Sequence, residues 1–278
     1  MESDTVQSSK DRRYMLWTVW LKAEESRRQG GLLHDPMAEQ AVKRIDYKFE
    51  DEREKPLAGR WVLLRARQLD EWSRAFLSQH PDAVVLHLGC GLDTRVWRVD
   101  PGPGVSWFEL DFPDVIELRG TLYPTRAGCT LVGASVSDAG WLESLPQGRP
   151  AWVVAEGLTY YLTPEVMANL LHRLRLHFPS GEIAFDASGP QSRKAKRKGK
   201  AERSNWHLRD LRECHLPAPG FELLARLRPA DAEPFEHLPP PLRWLMMMKN
   251  HLTSLGQLNM VLVRYRFKGS SSASSHVE

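Results

Sequence analysis

Cysteine is scarce in this chain. Three residues in 278, Cys90, Cys129 and Cys214, are scattered with no C-x-x-C pair. An odd, unclustered set argues against a disulfide framework and against a zinc site, so no metal is expected. It points to a reducing, cytoplasmic setting. No run of 18 apolar residues occurs, so no membrane-spanning helix is expected. The opening MESDTVQSSKDRRYM carries no apolar stretch of the secretory kind. Internal repeats are missing. So is a dominant charge: 38 Lys and Arg stand against 35 Asp and Glu, a net +3. Much of that excess lies between Arg193 and Arg203, where seven basic residues face only Glu202. The segment lacks the interleaved aromatics that stack on bases, and the chain lacks the Asn/Asp-Pro-Pro-Tyr block of amino-methylating enzymes. A nucleic-acid partner is therefore disfavoured, although the basic segment keeps it as the non-enzymatic alternative.

Hydrophobic residues at 42% and charged residues at 26% are ordinary globular values. Two helices are expected early. One lies at 14–28, with Trp17, Trp20 and Leu21 on one face, and the other at 56–78, opened by Pro56 and closed before His80-Pro81. From Ala83 the pattern shifts to seven short apolar or β-branched runs: AVVLHLGCG, GVSWFELD, CTLVGAS, AWVVAEG, GEIAFDAS, GFELLARLR and LNMVLVRYRF. Helical stretches separate several of them. The clearest, 163–178, has Thr163 as N-cap, Pro164 in the first turn and Met167, Leu170, Leu171, Leu174 and Phe178 as its buried stripe. Strands alternating with helices predict a doubly wound parallel α/β sheet, and the last two runs an antiparallel closing edge.

The first strand runs into Leu88-Gly89-Cys90-Gly91-Leu92-Asp93-Thr94. Gly89 and Gly91 permit a tight turn and close approach of a ligand, but Thr94 stands where a dinucleotide fingerprint has its third glycine. That substitution counts against a pyrophosphate cofactor. The second strand ends in Glu109-Leu110-Asp111, about 20 residues on, the spacing at which an acid reaches ribose hydroxyls. A nucleoside without a pyrophosphate, such as S-adenosylmethionine, fits both features.

LHLGCGLDTRVWRVD, WFELDFPDVIELR and VVAEGLTYYLTPE, in that order, resemble the leucine carboxyl methyltransferase family of class I methyltransferases. HDPMA at 34–38, IDY at 45–47 and HPDAVVLHLGCGLDTR at 80–95 favour its bacterial tetracenomycin-pathway-type O-methyltransferase branch. The resemblance covers roughly residues 16–268. It implies a Rossmann-like α/β fold, with a seven-stranded, mostly parallel sheet whose last strand is antiparallel. It also implies S-adenosylmethionine as cofactor and S-adenosylhomocysteine as product. By the same resemblance Gly89 and Gly91 line the methionine part, with Asp93 at the LDT position. Asp111 binds the ribose, and its neighbour Glu109 is structural. Ser135 and Val136 flank adenine, although the family often has aspartate at the place of Ser135, and Asp138 caps the next helix. Glu156 faces the cofactor's amino group, Arg65 holds its carboxylate with Lys22 assisting, and Tyr161 stands beside the transferring methyl. A zwitterion on a sulfonium does need a cation and an anion of this kind in a buried site.

The expected organisation is an N-terminal helical cap over 1–80 and a methyltransferase core over 81–268. Lid excursions fall at 189–212 and 229–250, and a disordered tail at 269–278. His207, in the first excursion, is the candidate base. Arg193, Arg203 and Arg209 are candidates to attract an acidic acceptor. Trp206, Trp244 and Met246–Met248 line an apolar pocket or else belong to the core. The expected activity is O-methylation of a carboxylate or hydroxyl on a small, acidic or aromatic, polyketide-like acceptor in specialised metabolism. A protein or peptide carboxylate is the alternative acceptor, and a cofactor binder without catalysis is a further one. No membrane partner is expected.

Overall fold

The structure, a computed structural model, describes residues 9–49, 56–189, 206–210, 213–216, 218–229 and 260–270. Three helices come first: α1 (Ser9–Ser26), α2 (Pro36–Arg44) and α3 (Pro56–Gln79). Then follow β1 (Val84–Leu88), α4 (Arg95–Val99), β2 (Ser106–Asp111), α5 (Pro113–Leu122), β3 (Cys129–Gly133), α6 (Gly140–Glu143) and β4 (Ala151–Ala155). The chain continues through α7 (Pro164–His177), β5 (Ser180–Ser188), β6 (Phe221–Leu227) and β7 (Met260–Lys268).

α1 ends two residues before the predicted limit. The Glu25 side chain turns back to accept the Leu32 N–H, and Gly30 adopts φ +71°. α2 was not among the expected helices; Asp35 of HDPMA caps it by accepting the Ala38 N–H, with Pro36 in its first turn. α7 starts as predicted, with Thr163 accepting the Val166 N–H.

The seven strands form one sheet in the order β3-β2-β1-β4-β5-β7-β6. β1 to β5 run parallel, and β7 is antiparallel to both of its neighbours. The closing pair is antiparallel as expected, and the structure adds the order: β7 enters between β5 and β6 and leaves β6 as the edge. Nine residues of β7 register with β5, and Val261, Leu262 and Val263 are fully buried, whereas β6 is half-exposed along its length. The strand whose first half, Met260 to Val263, is apolar on both faces takes the interior place.

Two packed layers flank the sheet. Val84, Leu86, Leu88, Val153, Ile183 and Phe185 meet α6 and α7. Val85, Trp107, Trp152, Val154 and Ala184 meet Trp61, Leu64, Leu69 and Phe76 of α3. Side chains alternate along each strand, so the α3 face of the sheet also carries His87, Glu109, Glu182 and Asp186, all buried. α3 thus packs as one flank of the sheet, while α1 and α2 share a smaller cluster with Leu92, Leu122 and Tyr123 at its carboxyl edge. The expected lid excursions and tail lie largely outside the described residues. Arg193, Arg203, Trp244 and Met246–Met248 fall there.

Candidate functional site

The carboxyl ends of parallel strands are where turns converge, and here β1 delivers the glycine turn there. Gly89 and Gly91 have φ +61° and +49°. A Cβ on Gly89 would lie 3.0 Å from Leu158 Cδ1, and one on Gly91 3.4 Å from Met15 Cγ of α1. Glycine is required at the first by backbone conformation and by room together. Asp111, at the end of β2, accepts the Gly91 N–H (2.7 Å) through Oδ2 and the Phe112 N–H (2.8 Å) through Oδ1. Burial pushes its carboxyl above the ordinary range despite those two donors. Glu109, two residues earlier, is fully buried and receives Arg119.

A network of charges gathers above β4 and β5. Glu156 accepts from Arg65 Nε at 3.0 Å and from Arg95 Nη2 at 2.6 Å, with Lys22 Nζ of α1 at 3.8 Å. Burial alone would raise its pKa, but Lys22, Arg65 and Arg95 outweigh burial and hold it at about 2. Asp93 sits 3.0 Å from Lys22 Nζ and 2.7 Å from Arg98 Nη1, and these cations, with Arg95, hold its carboxyl well down against burial. Arg65 bridges Glu156 to Asp186, and its other nitrogen reaches Tyr14 Oη at 3.1 Å. Arg95 and Arg98 both pair with Asp70, and Arg98 also reaches Asp35. Asp186 further accepts the Gly157 N–H (2.6 Å) and the Tyr160 hydroxyl (2.9 Å). Burial, with Asp186 alongside, holds the Tyr160 phenol protonated well past its usual range.

The structure therefore brings Lys22, Arg65, Gly89, Gly91, Asp93, Asp111 and Glu156 to one place. Val136 is buried and Ser135 half-buried at the turn after β3, which neighbours β2. Asp138 departs from expectation: it does not cap α6, whose N-terminal residue Ala139 offers no side-chain cap, but closes the turn by accepting the Ser135 N–H at 2.9 Å. Tyr161 is exposed on the short helical turn Thr159–Tyr161. The neighbouring Tyr160 is the ring tied into the charge network. Trp206 is core, 3% exposed and packed 5.6 Å from the Phe185 ring. His207 and Arg209 are exposed on the same segment.

Residues missed in the sequence include Asp186, Tyr160, Tyr14, Asp35, Asp70, Arg95 and Arg98. Asp186 had a readable signal: like Glu156, it is an acid in an otherwise apolar strand, and period-2 alternation in GEIAFDAS puts it on the α3 face. The acids beyond Arg65 on α3 pair elsewhere: Asp70 takes Arg95 and Arg98, and Glu71 takes Arg67.

Residues 15–175 match the leucine carboxyl methyltransferase family. A tetracenomycin polyketide synthesis O-methyltransferase, TcmP of Streptomyces glaucescens, is 38% identical over 91% of this chain and 95% of that protein. An S-adenosyl-L-methionine-dependent methyltransferase, dpfgK of Gibberella zeae, is 31% identical over 77% of this chain and 80% of its own length.

Proposed function

The chain belongs to the leucine carboxyl methyltransferase family, and we propose that, as an S-adenosylmethionine-dependent methyltransferase of that family, it methylates an oxygen of a small acidic or aromatic acceptor. The charge of the network carries the cofactor part of this reading. Among the described residues Lys22, Arg65, Arg95 and Arg98 form one connected set with Asp35, Asp70, Asp93, Glu156 and Asp186. Four cations face five carboxylates, leaving one negative charge in a buried site. His87, the imidazole beside it, is kept neutral at pH 7 by burial. S-adenosylmethionine has one carboxylate, one ammonium and one sulfonium, a net single positive charge, so the donor set fits it. Arg65 and Lys22 would hold its carboxylate, Glu156 and Asp93 its ammonium, Asp111 its ribose, and Ser135 and Val136 would border its adenine. Bound there, the group supplies an electrophilic methyl for in-line transfer.

The chain's own part is alignment and exclusion of water. Tyr14, whose hydroxyl meets Arg65, and Tyr161 are exposed aromatic rings, which suits a ring-bearing acceptor. Asp186, the carboxylate nearest Tyr160, is already occupied as acceptor by Arg65, by Tyr160 and by the Gly157 N–H. That supports an acceptor arriving as an anion, such as a carboxylate with a pKa of about 4, over a phenol near 10. The similarity to a polyketide O-methyltransferase supports specialised metabolism as the setting.

Calorimetry with S-adenosylhomocysteine tests the cofactor reading: micromolar binding is expected, weakened by Asp111→Ala. No binding by the folded wild type would overturn it. Labelled S-adenosylmethionine with panels of aromatic acids and phenols then tests the acceptor. Label that transfers only to phenols, or only to protein carboxylates, would refute the small acidic acceptor.

A further inference from the structure

We infer that Arg119 and Tyr123 are positioning residues that set the shape of the glycine turn from behind, an inference that rests on the cofactor reading above. A turn built on two left-handed glycines leaves carbonyls that no strand or helix satisfies, and buried carbonyls need donors. Arg119 Nη1 donates to the carbonyls of Gly91 and Asp93, each at 2.8 Å. Tyr123 Oη donates to the carbonyl between them, that of Leu92, also at 2.8 Å. Three successive carbonyls are drawn to one side.

The donors are themselves fixed. Arg119 and Tyr123 are four residues apart at the end of α5, on one helical face, and the guanidinium lies 5.3 Å over the Tyr123 ring. The other end of the guanidinium is bound by Glu109, and the Trp97 ring packs 5.2 Å from that of Tyr123. Arg119 is 1% exposed and Tyr123 7%. α5 begins at Pro113, two residues after Asp111, so the ribose acid and the clamp are carried on one short stretch of chain.

The geometry couples them at Gly91. Its N–H goes to Asp111 and its carbonyl to Arg119. Moving the carbonyl moves the N–H and, with it, the carboxylate read as the ribose acceptor. The Asp93 carbonyl is held by the same Nη1, while its carboxylate takes Lys22 and Arg98. Glu109 thereby has a task without touching the cofactor: it anchors the arginine that shapes the turn.

S-adenosylhomocysteine affinity should therefore depend on the clamp beyond any loss of stability. Tyr123→Phe removes one hydroxyl from a packed ring. Arg119→Lys keeps the charge but replaces a planar fork, which spans two carbonyls and a carboxylate, with a point donor. Arg149→Lys is the control. Arg149 grips the carbonyls of Ala83 (3.2 Å) and Gly104 (2.5 Å) at the opposite end of the sheet, so its loss should lower Tm without touching the turn.

Calorimetry well below each Tm is expected to show the dissociation constant raised about tenfold in Tyr123→Phe, the scale of one displaced buried hydrogen bond. The rise in Arg119→Lys should be at least as large, with Arg149→Lys unchanged. The Arg119→Lys/Tyr123→Phe double variant should lose less than the product of the single losses, because the two act as a unit. If wild type binds and folded Tyr123→Phe binds equally well, or if Arg149→Lys weakens binding as much, the clamp is only structural and this inference falls alone. If wild type binds no S-adenosylhomocysteine, the cofactor reading falls and takes this one with it. Should Arg119→Lys fail to fold, Tyr123→Phe still decides.

Discussion

Replacing Glu156 by glutamine keeps the shape of the side chain and removes its charge where three cations converge. Oε1 receives Arg65 and faces Lys22, and Oε2 receives Arg95. The amide puts an N–H against one of those donors and leaves the cations short of a partner. The carboxyl titrates at about 2 instead of near 4.5. A tenfold change in proton affinity is about 1.4 kcal/mol, so the cations' hold on the ionised form corresponds to about 3 kcal/mol. Removal of one partner from a buried ion pair, about 3–5 kcal/mol, agrees in scale. For a chain of this size each kcal/mol moves Tm by about 2–4 °C, so Glu156→Gln should unfold roughly 6–12 °C lower at pH 7.5.

The pH dependence separates this cause from simple misfit. The folded pKa lies below the unfolded one, so the contribution is fully present above pH 4.5 and is lost as pH falls toward about 2. Wild type and variant should converge in acid. S-adenosylhomocysteine affinity at neutral pH should fall about tenfold or more, since the charged hydrogen bond proposed to its ammonium is gone. A Tm within about 2 °C of wild type, within the ordinary scatter of surface substitutions, would refute the reasoning. So would a Tm difference that stays constant down to acid pH.

Gly89→Ala forces a left-handed residue to carry a Cβ 3.0 Å from Leu158 Cδ1; it should cost about 1–2 kcal/mol, by chemical denaturation. Leu158→Ala in the same chain should recover the steric part only, and full recovery would show that the backbone term is absent. Burial raises the Asp111 carboxyl. S-adenosylhomocysteine binding should therefore weaken with falling pH sooner than an ordinary aspartate would dictate, and a pH-independent affinity from 7.5 to 4.5 would sink Asp111 as the ribose acceptor. Cys90 is buried and its thiol is pushed well up by burial. Maleimide should label it only in denaturant, and rapid native labelling at Cys90 would contradict the closed glycine turn.

The alternating fold was legible because its signals are local. Period-2 runs read as strands, and Thr163-Pro164 followed by leucines at helical spacing reads as α7. Glycine at 89 and 91 marks a turn that other residues cannot make. The acids proposed to hold the cofactor were legible for a related reason: Asp111 and Glu156 end apolar strands, and strand ends converge. Tyr161 and Tyr160 show the limit. Adjacent residues of one type differ only in which way a short helical turn points them, and packing decides that.

The sequence by itself determined the parallel sheet, the glycine turn and the acids Asp111 and Glu156 that end two of its strands, because these follow from residue spacing and backbone preference. Only the tertiary structure decided which charge meets which. Arg65 pairs with Asp186, 121 residues away, and Arg95 with both Asp70 and Glu156. Asp35 reaches Arg98 across 63 residues. It also placed β7 inside the sheet and Arg119 beneath the turn. The physical reason is that a buried ion pair is settled by desolvation and geometry between distant segments, and no periodicity along the chain records either.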